Sequence, residues 1–179
     1  MEKEFGLHHH PGMEFPPARS DSGQAFTSRT PSFYSVLIYQ DIATGIRAKD
    51  VANRIRQEIG DERTFELDAW NAALLDDPVF NKIASQQAEA AEIVILSLRN
   101  GNAFTPRLKN WFGAWTSRKL GVFPALVALF AEPRCSSTIF AKSYLETAAA
   151  RAGMEFLCQS LDHSDDATSS AKTELCWIL

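Results

Sequence analysis

The chain has no apolar run approaching the roughly 20 residues that cross a bilayer, and its first residues hold no apolar stretch long enough for a secretory signal. A cytoplasmic location is therefore expected, with no membrane among its partners. Cysteine is scarce: Cys135, Cys158 and Cys176 are odd in number, far apart, and without the CxxC spacing of a zinc knuckle or redox pair. They read as reduced, ordinary thiols. Positive charge is not in surplus either. The formal net charge is -4, with acidic and basic residues interspersed, which argues against a polyanion-binding surface and so against nucleic acid as a partner. Histidine is confined to His8-His9-His10 and His163. The first three sit among Gly6, Pro11, Gly12, Pro16 and Pro17, where nothing fixes a ligand geometry, and His163 lacks a second histidine or a cysteine for a metal site or triad. No internal repeat is visible.

What is present is enough apolar material for one core. With 179 residues, 45% of them hydrophobic, one domain is expected and no second is required. Residues 1–32 are rich in Pro, Ser, Gly and charge without periodicity, so they bury too little apolar surface to offset ordering and read as a disordered N-terminal arm. At Phe33 the pattern changes: Phe33 to Tyr39 is a short, β-rich apolar run, as expected of a strand covered on both faces. Thr44 is placed to cap the next helix, whose Ala48, Val51, Ala52, Ile55 and Ile59 share one face until Gly60 stops it.

Thr64 to Asp68 alternates polar and apolar, the pattern of a strand with one wet side, which suits a sheet edge. Asp77-Pro78 supplies a cap and a first-turn proline for a helix with the stripe Phe80, Ile83, Ala84, Gln87, Ala88 and Ala91. Ile93 to Leu98 is again apolar throughout, and Thr105-Pro106 opens a helix with Leu108, Trp111, Phe112 and Trp115 facing one way to a stop at Gly121. Large aromatics at this spacing are read as core. Pro124 to Phe130 is a third buried strand, and a helix from Ser136 or Ser137 is expected to face inward through Phe140, Ala141, Tyr144, Ala148 and Ala152. Met154 to Cys158 alternates as another edge.

Strand and helix alternate, with three continuous apolar strands and two half-wet ones. The expected architecture over residues 33–158 is a three-layer αβα domain whose five-stranded parallel sheet has the flavodoxin-like order 2-1-3-4-5. Right-handed crossovers then put the first helix on one face and the next three on the other. Residues 159–179 hold Asp162, Asp165, Asp166 and several serines, then a short amphipathic segment with Ala171, Leu175, Ile178 and Leu179. That segment is expected to dock on the sheet over strands three to five. The same face offers the alternative of a protein partner or a homodimer, because uncovered apolar area at about 25 cal/mol per Å² drives association.

In open α/β sheets ligands gather at the carboxyl ends of the strands near the switch point, here between strands one and three. Three loops meet there: Gln40 to Gly45, Arg99 to Thr105, and Glu132 to Ser137. The first resembles the flavodoxin phosphate loop in position, but only Thr44 and Gly45 match its pattern, and Asp41 repels a phosphate. Arg47 is a candidate phosphate partner in place of the missing hydroxyls, and Asn100, Asn102 and Thr105 are placed to border a flavin ring. The structural alternative makes Thr44 a cap, Gly45 a turn residue and Arg47 a solvated side chain. A receiver domain needs an acidic pair, a phosphorylated Asp after the third strand and a Lys after the fifth. Arg99-Asn100 and Cys158-Gln159 stand there instead, so magnesium-dependent phosphoryl transfer is not expected. Cys135 and Ser136 lack a nucleophile elbow and a partner base.

The blocks Val36 to Asp41 with Thr44 to Ala48, Ala91 to Ser97, and Leu126 to Phe130 resemble an uncharacterised family of small bacterial α/β proteins over roughly Ser35 to Leu157. That resemblance implies the fold and no activity. The expected role is a non-catalytic receiver-like or flavodoxin-like module that binds another protein, with no catalytic residue, metal or cofactor. The alternative is a protein binding flavin mononucleotide (FMN) or a nucleotide phosphate through Asp41, Thr44, Gly45, Arg47, Asn100, Asn102 and Thr105, with an electron-transfer role.

Overall fold

The computed structural model describes residues 31–118 and 124–160, apart from the side chain of Ser160. The expectations for the N-terminal arm up to residue 30, the stop at Gly121, and the docking of the C-terminal segment from residue 161 onward lie outside the described residues. In chain order the elements are β1 (Ser32–Tyr39), α1 (Ile42–Ile59), β2 (Thr64–Asn71), α2 (Pro78–Ala90), β3 (Ile93–Leu98), α3 (Pro106–Thr116), β4 (Ala125–Phe130), α4 (Ser136–Arg151) and β5 (Glu155–Ser160). The strands form one sheet in the order β2-β1-β3-β4-β5. Every pairing is parallel: Ser35 lies opposite Leu67 and Ile93, Ile93 opposite Ala125, and Ala125 opposite Glu155. The architecture is therefore the expected flavodoxin-like one.

Strands β3 and β4 are buried at every residue because both faces carry helices, while β2 alternates at the rim. Helices α2, α3 and α4 close one side over Val36, Ile38, Val94, Leu96, Leu126 and Phe130. On the other side α1 lays Ala48, Val51, Ala52 and Ile55 against Phe33, Leu37, Ile93 and Ile95. This is the layering that right-handed crossovers dictate for this strand order. Ser32 and the residues from Gln159 to Ser160 extend the outer ends of β1 and β5 beyond the expected limits.

Two helix faces differ from the sequence expectation. In α4 the buried residues are Thr138, Ala141, Leu145 and Ala149; of the expected set Ala141 is buried and Ala148 and Ala152 pack partly buried against the core, but Phe140 and Tyr144 do not face inward. Phe140 is 76% exposed and Tyr144 39%. Small side chains seat the helix close to β4, and the aromatic stripe, about one residue's rotation away, is turned outward. In α2, likewise, Ala84, Ser85 and Ala88 face the sheet while Phe80 and Ile83 stay partly exposed, with the Phe80 ring 6.0 Å from Trp70.

The edge strand β2 is tied down by a polar chain that no local pattern announces. Tyr34 Oη donates to Asp68 Oδ2 at 2.5 Å, Gln87 Nε2 donates to the same oxygen at 2.6 Å, and Trp70 Nε1 donates to Gln87 Oε1 at 2.6 Å. Burial, together with the Asp68 hydrogen bond and charge, pushes the Tyr34 hydroxyl far above the usual tyrosine range. In the unfolded chain the same group ionises near pH 10, so its contribution to stability is full below that pH and is lost as the pH rises. Tyr34→Phe should cost about 1.5 kcal/mol at neutral pH, the scale of a hydrogen bond to a charged group. The gap between the two proteins in urea titrations should shrink from pH 8 to pH 11. A gap that holds or widens over that range contradicts the assignment.

Candidate functional site

The carboxyl ends of β1, β3 and β4 bring the three expected loops together. Asp41, not Thr44, is the N-cap of α1: its Oδ1 accepts from the Thr44 N–H at 2.8 Å, and Thr44 Oγ1 accepts from the Asp41 N–H at 2.8 Å. In this reciprocal capping box the residue expected as the cap, Thr44, stands three positions into the arrangement, and each side chain satisfies a donor the helix start leaves open. Thr44 Oγ1 also accepts from the Gln40 N–H and donates to the Asp41 carbonyl, so the buried hydroxyl is fully engaged. The Thr44 N–H, then the Arg99 guanidinium at 3.4 Å, hold the Asp41 carboxyl below the usual carboxylate range.

Gly45 is a helical residue rather than a turn residue. A Cβ there would lie 3.0 Å from the Tyr39 ring, so glycine lets that ring close on the first turn of α1. Ser97 Oγ, fully buried on β3, donates to the Thr44 carbonyl at 2.8 Å and ties the helix start to the neighbouring strand. Arg47 is half-buried, and its Nη1 is buried without a hydrogen-bond partner.

The second loop folds onto the third. Asn100 Oδ1 accepts from the Asn102 N–H at 3.1 Å, while Asn100 Nδ2 donates to Glu132 Oε2 at 2.7 Å. The Gly101 N–H donates to Thr138 Oγ1 at 3.0 Å, and that hydroxyl donates in turn to the Glu132 carbonyl at 2.9 Å. Thr105 Oγ1 caps α3 by accepting from the Leu108 N–H, and the Asn102 side chain is exposed. Of the seven residues singled out from sequence, Asp41, Thr44, Asn100 and Thr105 thus engage helix ends or neighbouring loops, Gly45 makes room for Tyr39, and Arg47 alone holds a buried unpaired polar atom.

Gly101 and Thr138 are the residues that sequence reasoning passed over. The Asn100-Gly101-Asn102 string signals a turn, but the contact with α4 depends on the sheet order and is not local. At the start of α4 the Ser137 hydroxyl, 3.1 Å from Cys135 Sγ, lowers the Cys135 thiol below its ordinary range, whereas burial raises that of Cys158. Among the described residues no group of three His, Cys, Asp or Glu side chains is placed to hold a metal ion, and no helix is long and apolar enough to cross a membrane. No family model matches this chain, and no curated protein matches it.

Proposed function

We propose that the protein is a non-catalytic flavodoxin-like or receiver-like module that acts by binding another protein. One observation carries the reading. Helix α4 packs Ala141, Leu145 and Ala149 against the sheet, and on its solvent side, among Lys142, Ser143, Glu146 and Thr147, it exposes Ile139 (61% exposed), Phe140 and Tyr144. Large apolar side chains exposed together on one helix mark an interaction surface, so this outer face suits a partner. The loop hydrogen bonds at the switch point support the same reading, since most of their polar groups already serve the fold. The reading keeps the expected cytoplasmic location and the resemblance to small bacterial α/β proteins as parts of the proposal.

The test is a photo-crosslinking amino acid at position 140, compared with one at the exposed position 54 on α1, in cells making the full chain. Protein adducts are expected from position 140 and not from position 54. Equal or absent adducts remove the reading.

A second reading, FMN or nucleotide-phosphate binding with an electron-transfer role, is favoured by Arg47 of α1, the helix that starts at the switch point, whose buried Nη1 lacks a hydrogen-bond partner. An anion would satisfy it. Quenching of FMN fluorescence on titration supports this alternative, and no quenching at high micromolar protein eliminates it.

A further inference from the structure

We propose that the outer face of α4 and the groove beside it form a self-complementary docking surface for a second copy of this chain. The proposal rests on the protein-binding reading and names the partner. Phe140, Tyr144, Thr147 and Arg151 are spaced i, i+4, i+7 and i+11, which puts them on one stripe along the helix. Phe140 is the protruding member at the N-terminal end of the stripe.

At the C-terminal end the surface is hollow. A groove of about 520 Å³ runs between α3 and α4, lined by small residues including Gly113, Thr116, Ala148 and Ala152, with Arg151 also on its lining. An apolar cavity of about 150 Å³ is enough to hold benzene, so a phenyl ring has ample room. The groove hydroxyls are mostly committed to their own helices: Thr116 to the Phe112 carbonyl at 2.9 Å, Ser117 to Ala114 at 3.1 Å and Thr147 to Ser143 at 2.8 Å. Beside Ser143, Tyr144 and Arg151, the rest of the lining is largely apolar, which suits an aromatic ring with a cation at its face.

The knob stands on α4 and the hollow runs beside the same helix, so a two-fold axis across α4 brings each copy's knob to the other's hollow. If two α4 helices pair antiparallel about an axis between Tyr144 and Thr147, Phe140 of each copy meets Arg151 and the groove of the other. The interaction is then made twice, as an isologous contact requires. Charge agrees: Arg151 is exposed and makes no ion pair among the described residues, and a guanidinium over the face of Phe140 is attractive. The same surface already shows such a pairing, with Lys109 Nζ 5.7 Å from the Phe104 ring centre and 5.6 Å from that of Tyr144.

The experiment is sedimentation velocity on the full chain over a concentration series, with two variants. Phe140→Glu removes the knob. Gly113→Gln fills the hollow without strain, because a Cβ at Gly113 meets nothing within 4 Å, and glutamine favours the helix. The wild type is expected to be a dimer and both variants monomers, each with wild-type circular dichroism. A wild type that is monomeric up to its solubility limit overturns the proposal, as does a dimer that survives either substitution. Adducts from position 140 to a different protein, or to another segment of the same chain, also overturn it. Adducts to a different protein leave the broader binding reading standing, and the absence of any adduct removes both.

Discussion

Trp115→Ala should lower the stability of the domain by about 4 kcal/mol, the scale measured for truncating a fully buried aromatic. Trp115 has no exposed surface, sits in the core closed by α2, α3 and α4, and packs its indole edge-on against Phe112, with ring centres 5.0 Å apart and planes at 74°. Trp111 adds a tilted contact at 5.7 Å. The cost therefore has two parts: the lost transfer of a large apolar surface, and a cavity that Phe112 and Trp111 cannot fill because each already occupies its own place in the cluster. With a urea slope of about 2 kcal/mol per M, the midpoint should fall by about 2 M. Since a domain of this kind has only about 5–15 kcal/mol in hand, the variant should sit close to unfolding at body temperature. Trp115→Phe should recover about half of the loss. An alanine variant within 1 M of the wild-type midpoint would mean that α3 is not anchored where its aromatic stripe places it.

That stripe was legible before any coordinates, and the reason is instructive when set beside α4. In α3 the large apolar residues Leu108, Trp111, Phe112 and Trp115 are also the buried ones, so size and periodicity agree. In α4 they conflict. Two stripes about 100° apart both satisfy the helical period, one of small residues with Leu145 and one with Phe140 and Tyr144, and bulk favours the wrong one. The decision is made by how closely the helix must approach β4, which is a tertiary quantity. The strand order, by contrast, follows from burial alone, because only central strands of a parallel sheet are apolar on both faces. At the switch point the sequence points to Thr44 as the cap, but Asp41 takes that place and Thr44 closes the box from N3, an exchange the spacing alone does not reveal. The Tyr34, Asp68, Trp70 and Gln87 chain was invisible because it spans β1, β2 and α2, and only the register joins it.

The same distinction between local signal and distant contact sets up the second large effect, Gly101→Ala. A turn-forming Asn-Gly-Asn string tolerates alanine at a glycine of ordinary φ, so local reasoning expects little. The packing says otherwise. A Cβ at Gly101 would stand 1.8 Å from the Ser137 carbonyl oxygen, 2.1 Å from its carbon and 2.6 Å from the Thr138 nitrogen. All three are backbone atoms in the first turn of α4, so no side-chain rotation relieves the clash. Either the loop lifts, losing the Gly101 N–H bond to Thr138 and pulling Asn100 from Glu132, or α4 shifts on the sheet. A cost of about 3 kcal/mol is expected, at the upper end for overpacking, because the clash is with backbone atoms and relieving it breaks packing contacts and a part-buried hydrogen bond. At about 3 °C per kcal/mol for a chain of this size, Tm should fall by roughly 9 °C. The control is Gly113→Ala, in mid-helix with open space around its would-be Cβ, which should raise the stability of the monomeric fold by about 0.5–1 kcal/mol. Amide exchange should also quicken at Gly101 and in the first turn of α4 in the Gly101 variant, and not in the control. Were Gly101→Ala as stable as the control, the close seating of the second loop on α4 would be wrong, and the start of α4 would again be open to a ligand.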